Sequence, residues 1–126
     1  MIMAMNNFTF NTTSGIRFGS GMSKTCVEEI SKKLGSNILF ITDKDLMSLN
    51  LTKPMLSELN KYSSIVEIFQ DVEADPSIKT LLNSIEVGKK INATGVIGFG
   101  GGSSMDVAKL TSLILGSNED IEEAWG

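Results

Sequence analysis

Apolar residues follow two alternating patterns along the chain, short runs of strand length and spacings of three or four positions. The runs occupy residues 37–42, 65–69 and 95–99, and the unbroken run Ile38–Ile41 suits a strand that is buried on both faces of a parallel sheet. The wider spacings predict four amphipathic helices between and after the runs. Their apolar stripes are Val27, Ile30 and Leu34; Leu51, Met55 and Leu59; Ile78, Leu81, Leu82 and Ile85; and Val107, Leu110, Thr111 and Ile114.

Glycine, proline and aspartate residues mark the ends of these elements. Gly35 predicts the end of the first helix, and the pair Asp75-Pro76 predicts the start of the third, with aspartate as the N-cap and proline at the first helical position. Residues 8–10 and 16–18 predict two further short strands around a turn. Strands that alternate with helices form βαβ units, so we expect an α/β fold, a Rossmann-like parallel sheet with flanking helices.

Composition narrows the chemistry that the chain can perform. With 126 residues and 41% hydrophobic positions, it is long enough to form one domain with a buried core. A net charge of −4 argues against nucleic acid or an anionic membrane as the main partner. The sequence contains no histidine, which excludes histidine-based catalysis and metal sites that need imidazole. Cys26 is the single cysteine and is expected to be a small core residue. No segment resembles a signal peptide or a membrane span, so we expect a cytoplasmic protein.

A glycine-rich segment, residues 98–106, carries the strongest functional signal. Consecutive glycines let backbone N–H groups approach a ligand, and the N-terminus of the following helix adds free N–H groups and a positive dipole end. The segment therefore predicts a site for nucleotide phosphates, with Ser103 and Ser104 as candidate helix caps. The spacing matches neither G-x-G-x-x-G nor the Gly-Lys-Ser/Thr phosphate loop, so a tight turn without a ligand remains the alternative.

Two aspartates follow predicted strands and allow two interpretations each. Asp43 comes directly after the first buried strand, at the edge where open α/β sheets bind ligands. Its carboxylate could accept hydrogen bonds from a ribose diol and would repel a 2′-phosphate, which favours NAD over NADP; the alternative is a cap for the next helix. Asp75 has the same two interpretations, and capping alone would explain it.

Four segments together resemble the iron-containing (group III) alcohol dehydrogenases. Residues 100–109 resemble the glycine-rich signature of that family, and residues 18–21 resemble its early F-G-x-G. Thr42-Asp43-Lys44 corresponds to its T-D-x, and residues 72–77 are similar to its V-x-x-N-P-T segment. Glycerol dehydrogenases and dehydroquinate synthases share the glycine-rich loop in a looser form.

The resemblance implies an N-terminal dinucleotide-binding domain with NAD as the preferred cofactor. In this family the glycine-rich loop would hold the pyrophosphate, Asp43 the adenosine ribose, and the region of Asp75 the adenine side, although Asp75 stands where the family usually has asparagine. The implied cofactor-binding residues are Asp43, Asp75, Gly100, Gly101, Gly102, Ser103, Ser104, Met105 and Asp106.

The family also has features that residues 1–126 do not provide. Its members are much longer, and a second, all-helical domain binds a divalent metal, iron or in some relatives zinc, through an aspartate and histidines. We therefore interpret residues 1–126 as an incomplete cofactor domain that has no catalytic or metal-binding residue and that is inactive alone as an alcohol dehydrogenase. Association of two copies through the strand at residues 8–10 is a further expectation. A nucleotide-binding module without enzymatic activity, or a domain without a ligand, is the alternative.

Overall fold

The computed structural model describes residues 26–117 of the chain and contains three strands and five helices in that range. In chain order the elements are α1 (Val27–Leu34), β1 (Asn37–Ile41), α2 (Lys44–Ser48), α3 (Lys53–Tyr62), β2 (Ile65–Phe69), α4 (Ile78–Lys90), β3 (Gly95–Gly98) and α5 (Gly102–Ser117). The strands form one parallel sheet in the order β2–β1–β3. This arrangement confirms the predicted α/β class with flanking helices.

The central strand β1 is buried and presents alternate side chains to two separate cores. Leu39 and Ile41 belong to the core that α4 and α5 complete with residues such as Leu81 and Val107. Phe40 belongs to the opposite core, which α1 and α3 complete, and its ring stacks on that of Phe99 with the centroids 5.6 Å apart. A strand covered on both faces explains why the run Ile38–Ile41 has no polar residue.

The distribution of helices creates a switch point between β1 and β3. The chain that leaves β1 continues into α3 on the Phe40 side of the sheet, whereas the chain that leaves β3 enters α5 on the Leu39 side. Two neighbouring strands whose connections run to opposite faces leave a crevice at their carboxyl ends, and ligands of open α/β sheets bind there. The segments that carry Asp43 and the consecutive glycines both begin at this crevice.

Close packing between α4 and α5 fixes the direction of the helix that follows the glycine-rich loop. Ser84 and Thr111 join the two helices through a buried hydrogen bond of 2.7 Å between their hydroxyl oxygens. A Cβ at Gly88 would lie 2.6 Å from Leu115 Cδ1, so glycine lets the two helices pack closely without displacing the Leu115 side chain. The axis of α5 is therefore set by small residues in the core.

The start of α4 differs from the prediction. The helix begins at Ile78, two residues after Pro76, and its N-cap is Ser77, whose hydroxyl accepts the N–H of Thr80 at 3.2 Å. Asp75 instead lies before the helix with a φ of +51°. Capping by Asp75 is thus wrong, because the serine hydroxyl occupies that role at the observed helix start.

Other expectations about helices have mixed outcomes. Gly35 does end α1, with a φ of +80°. Of the predicted α4 stripe, Leu81 and Ile85 are buried, but Ile78 and Leu82 are exposed because Thr80, Ser84 and Gly88 supply the rest of the contact face. The short helix α2 was not predicted. Ser103 and Ser104 lie inside the first turn of α5, so neither is its cap.

The predicted strands at residues 8–10 and 16–18 lie outside the described residues. Within residues 26–117, no helix has both the length and the apolar character needed to cross a membrane.

Candidate phosphate-binding site

The strand side of the glycine-rich loop is held tightly against the sheet. Phe99 N–H donates to the carbonyl of Ile41 at 2.9 Å, which extends the β1–β3 pairing past the last paired residues. A Cβ at Gly98 would lie 2.7 Å from the Cβ of Ala108. Gly100 has a φ of +139°, and a Cβ there would approach Leu46 Cδ1 to 2.9 Å. Packing and backbone conformation thus require glycine at both positions.

The helix side of the loop has a different environment. No atom lies within 4 Å of the Cβ positions built on Gly101 and Gly102, and both residues are exposed. Neither has the positive φ that favours glycine. Nothing inside the described protein therefore requires glycine at residues 101 and 102, and the space that two side chains would fill is open to a ligand.

The first turn of α5 points unpaired N–H groups into this space. The helix's first bond runs from Met105 N–H to the carbonyl of Gly101 at 3.1 Å. The N–H groups of Gly102, Ser103 and Ser104 precede that bond and have no carbonyl of the same helix to reach. Three N–H donors and the positive end of a 16-residue helix form a site that attracts anions.

Asp43 lies beside the loop and caps a helix at the same time. Its Oδ1 accepts the N–H of Leu46 at 2.9 Å and begins α2. Its Oδ2 would be 3.5 Å from a Cβ on Gly100. The capping interpretation of Asp43 is confirmed, yet one carboxylate oxygen on the loop side is not used by the cap, so a contact with a ribose stays compatible with the geometry.

The end of β2 brings a third segment to the same edge of the sheet. Thr42 N–H donates to the carbonyl of Phe69 at 2.9 Å, and Asp43 and Asp71 then form an isolated antiparallel bridge. Lys44 Nζ lies 3.4 Å from Asp71 Oδ1. The sequence did not identify Asp71 or Lys44 as site residues, although the position of residue 71 just after a predicted strand was the available signal.

These three segments enclose an open cleft of about 460 Å³. Five of the implied cofactor-binding residues line it, namely Asp43, Gly101, Gly102, Ser103 and Ser104. Gly100 supports the loop from behind, whereas Asp75, Met105 and Asp106 are exposed and not part of the lining. The remaining lining residues are Lys44, Asp45, Gln70, Asp71, Val72, Glu73 and Ala74. The cleft therefore extends from the glycine-rich loop to the segment that follows β2.

Comparison with known proteins assigns the chain to a family. The family model of iron-containing alcohol dehydrogenases matches residues 13–125, nearly the whole chain. The chain belongs to this family. The match includes the glycine-rich loop, Asp43 and the segment after β2, so the cleft lies within the part of the chain that the family shares.

Individual relatives are similar to this chain over most of its length. The sulfoacetaldehyde reductase of Bilophila wadsworthia is 27% identical over 119 residues, which cover 94% of this chain and 31% of the relative. The choline dehydrogenase of Bacillus subtilis is 32% identical over 109 residues, covering 86% of this chain and 27% of the relative. The chain thus spans about a third of the length of the curated relatives it matches.

Solved structures of family members have the same fold. The NADH-dependent butanol dehydrogenase A of Thermotoga maritima superposes with a TM-score of 0.79 at 27% identity. The aligned region covers 94% of this chain and 30% of that structure. The three-stranded sheet and its helices therefore correspond to one part of a larger dehydrogenase.

The rim of the cleft opposite the loop is fixed by a carboxylate. Thr80 donates its hydroxyl hydrogen to Glu73 Oε1 at 2.6 Å. This hydrogen bond is the main reason that the pKa of Glu73 lies below its ordinary value, with backbone N–H groups contributing. The contact ties residues 73–77 to the start of α4, and Asp75, with its positive φ, lies in that tied segment.

A second feature of this region is the spacing of its carboxylates. Within residues 26–117, no three histidine, cysteine, aspartate or glutamate side chains are grouped so that they could hold a metal ion. The carboxylates around the cleft therefore do not fit the metal that the family name implies.

Proposed function

We propose that this chain supplies the NAD-binding part of a metal-dependent alcohol dehydrogenase. The observation that carries the proposal is the open space over Gly101 and Gly102 in front of the free N–H groups of α5. A side chain at either glycine would occupy the volume that the phosphates need, which accounts for glycine where packing does not. Family membership and the NADH-dependent relative support a dinucleotide as the anion.

The order of strands suggests how the cofactor lies along the cleft. The pyrophosphate would bind the N–H groups of Gly102, Ser103 and Ser104 beyond β3. The adenosine ribose would lie one strand further, where Asp43 has an oxygen on the loop side. The adenine would continue toward β2 and residues 70–74. Gly100, Met105 and Asp106 would shape the loop and the helix start, and Asp75 would act only through the backbone of its segment.

The bound nicotinamide supplies hydride transfer to or from the carbon of an alcohol or aldehyde. This chain's own contribution is to hold and orient the dinucleotide, because the described residues offer neither a metal site nor a histidine for proton transfer. We place the metal, iron or alternatively zinc, and the substrate pocket on the second, all-helical domain that the resemblance implies. Residues 1–126 by themselves are then inactive as a dehydrogenase. The cytoplasmic location and association through residues 8–10 stay predictions.

Calorimetric titration of the 126-residue chain with NAD and with NADP tests the proposal. We expect binding of NAD that is weak, stronger than that of NADP, and unchanged by added iron or zinc. Gly101→Val should remove the binding while the chain remains folded by circular dichroism, since a Cβ at this position has no protein neighbour within 4 Å. Absence of NAD binding by a folded chain would contradict the proposal.

A further inference from the structure

An ion pair occupies the part of the cleft that lies beyond Asp43. Lys44 Nζ and Asp71 Oδ1 are 3.4 Å apart, and both side chains are largely exposed, at 73% and 62%. The backbone bridge between residues 43 and 71 holds the ends of β1 and β2 together, so this pair is positioned next to the carboxylate of Asp43. Neither side chain is among the cofactor-binding residues that the sequence resemblance implies.

Charges along the cleft are unevenly distributed. Among the described residues that line it, Asp43, Asp45, Asp71 and Glu73 carry negative charge, and Lys44 alone carries positive charge. A 2′-phosphate on the adenosine ribose would add a doubly charged group beside Asp43, in the segment that Lys44 and Asp71 share. Lys44 is the side chain in this lining that could neutralise such a phosphate.

We propose that Asp71 is a second specificity-determining residue, which disfavours dinucleotides with a 2′-phosphate by keeping the ammonium group of Lys44 paired. The inference rests on the proposed function, because it requires the ribose to lie near Asp43. In this account Asp43 repels the 2′-phosphate directly, and Asp71 prevents the one nearby cation from compensating that repulsion.

The exposure of the pair makes the effect measurable. Exposed ion pairs are weak, so Lys44 is free to contact another anion when the carboxylate of Asp71 is removed. Asp71→Asn keeps the shape of the side chain and its polarity, and the backbone bridge to residue 43 does not depend on the charge. The substitution therefore changes the partner of Lys44 with little effect on the fold.

The test measures the ratio of the dissociation constants for NADP and NAD in four chains by calorimetry. Asp71→Asn should lower the ratio about 1.5- to fivefold, the range expected for one exposed charge interaction. Combining it with Lys44→Gln should abolish that gain, because the released ammonium group is absent. Glu86→Gln removes one exposed negative charge on α4, outside the lining, and should leave the ratio unchanged.

Each outcome has one meaning. A gain in Asp71→Asn that disappears in the double variant supports the inference. An unchanged ratio in Asp71→Asn, or a gain that persists without Lys44, or an equal gain in Glu86→Gln, overturns it while the proposed function stands. Failure of the unsubstituted chain to bind NAD contradicts the proposed function itself, so the two failures are distinguishable.

Discussion

Gly98 and Gly100, on the strand side of the loop, contact the rest of the protein closely, whereas Gly101 and Gly102, at the start of α5, face open space. Gly98 is glycine because a side chain would collide with the Cβ of Ala108, and Gly100 is glycine because its φ is positive. Neither close packing nor a positive φ requires glycine at residues 101 and 102.

This contrast separates two meanings of a glycine-rich segment. A glycine that packing requires contributes to the fold, and a glycine that nothing in the protein requires is explained by something outside the chain that approaches the backbone. The glycine-rich segment thus has a structural half and a half that fits a ligand. Variants that exchange glycine for alanine should affect stability in the first half and binding in the second.

The largest effect is expected on the strand side of the loop. Gly98→Ala places a methyl group 2.7 Å from the Cβ of Ala108, and Gly100→Ala forces a non-glycine residue to a φ of +139°. Each should lower the free energy of unfolding by about 1–3 kcal/mol, through overpacking or backbone strain. Chemical denaturation measures this change. Unaltered stability in both variants would contradict the claim that the fold requires glycine at residues 98 and 100.

The next effect concerns binding at the helix side. Gly101→Ala and Gly102→Ala should each weaken NAD binding at least ~10-fold. Gly102→Ala lies inside the helix and should leave stability equal or raise it by up to ~1 kcal/mol, whereas Gly101→Ala lies at the N-cap and should lower stability by less than ~1 kcal/mol. Gly116→Ala is the matched control, because this glycine is also exposed, lies on the same helix and has no atom within 4 Å of its Cβ position. Calorimetry and denaturation are performed on all three. Equal NAD affinity in the loop and control variants would contradict the claim that Gly101 and Gly102 face a bound ligand.

A smaller change is expected at Asp43, which has both roles at once. Asp43→Asn keeps a side-chain oxygen that can accept the N–H of Leu46, so stability should change by less than about 0.5 kcal/mol. Loss of the charge should lower the preference for NAD over NADP by about tenfold, if the second oxygen faces the ribose. Titration with both dinucleotides measures the preference. An unchanged preference would leave Asp43 as a helix cap alone.

The smallest expected effect is on the pKa of Glu73, on the rim of the cleft opposite the glycine-rich loop. Thr80→Val removes the hydroxyl donor, so the pKa of Glu73 should rise toward its ordinary value of 4.5. Because the pKa of Glu73 is lowered in the folded protein, its ionised carboxylate stabilises the fold above pH 4.5. This stabilisation is lost as the pH falls through the lowered pKa. The variant should lose less stability than the parent chain over that acidic interval. Carboxyl titration by NMR follows Glu73 directly, and an unchanged pKa would exclude Thr80 as the cause.

Much of the fold could be predicted from periodicity. The buried run Ile38–Ile41 and the stripe through Val107, Thr111 and Ile114 are confirmed because a side chain that is fully buried must be apolar or small. The start of α4 was predicted two residues too early because Asp75-Pro76 and Ser77 are both good start signals. The choice between them depends on Glu73 and Thr80, whose contact is made only in the folded protein.

The site was predictable in part for a similar reason. The loop and Asp43 could be found because each follows a buried strand and has a residue type with a known use. Asp71 also follows a predicted strand, but its pairing with Lys44 could not be predicted, since the pairing requires the register between β1 and β2. Nor could the sequence divide the glycines into two groups, because that division depends on which atoms of Leu46 and Ala108 approach the backbone.

The most direct measurement follows the backbone N–H signals of the ¹⁵N-labelled chain by NMR while NAD is added. The account predicts saturable shifts that are largest at Gly102, Ser103 and Ser104, and much smaller shifts at Gly116 on the same helix. Shifts that are absent at residues 101–104, or that are no larger there than at Gly116, would contradict the claim that this loop holds the phosphates of a dinucleotide.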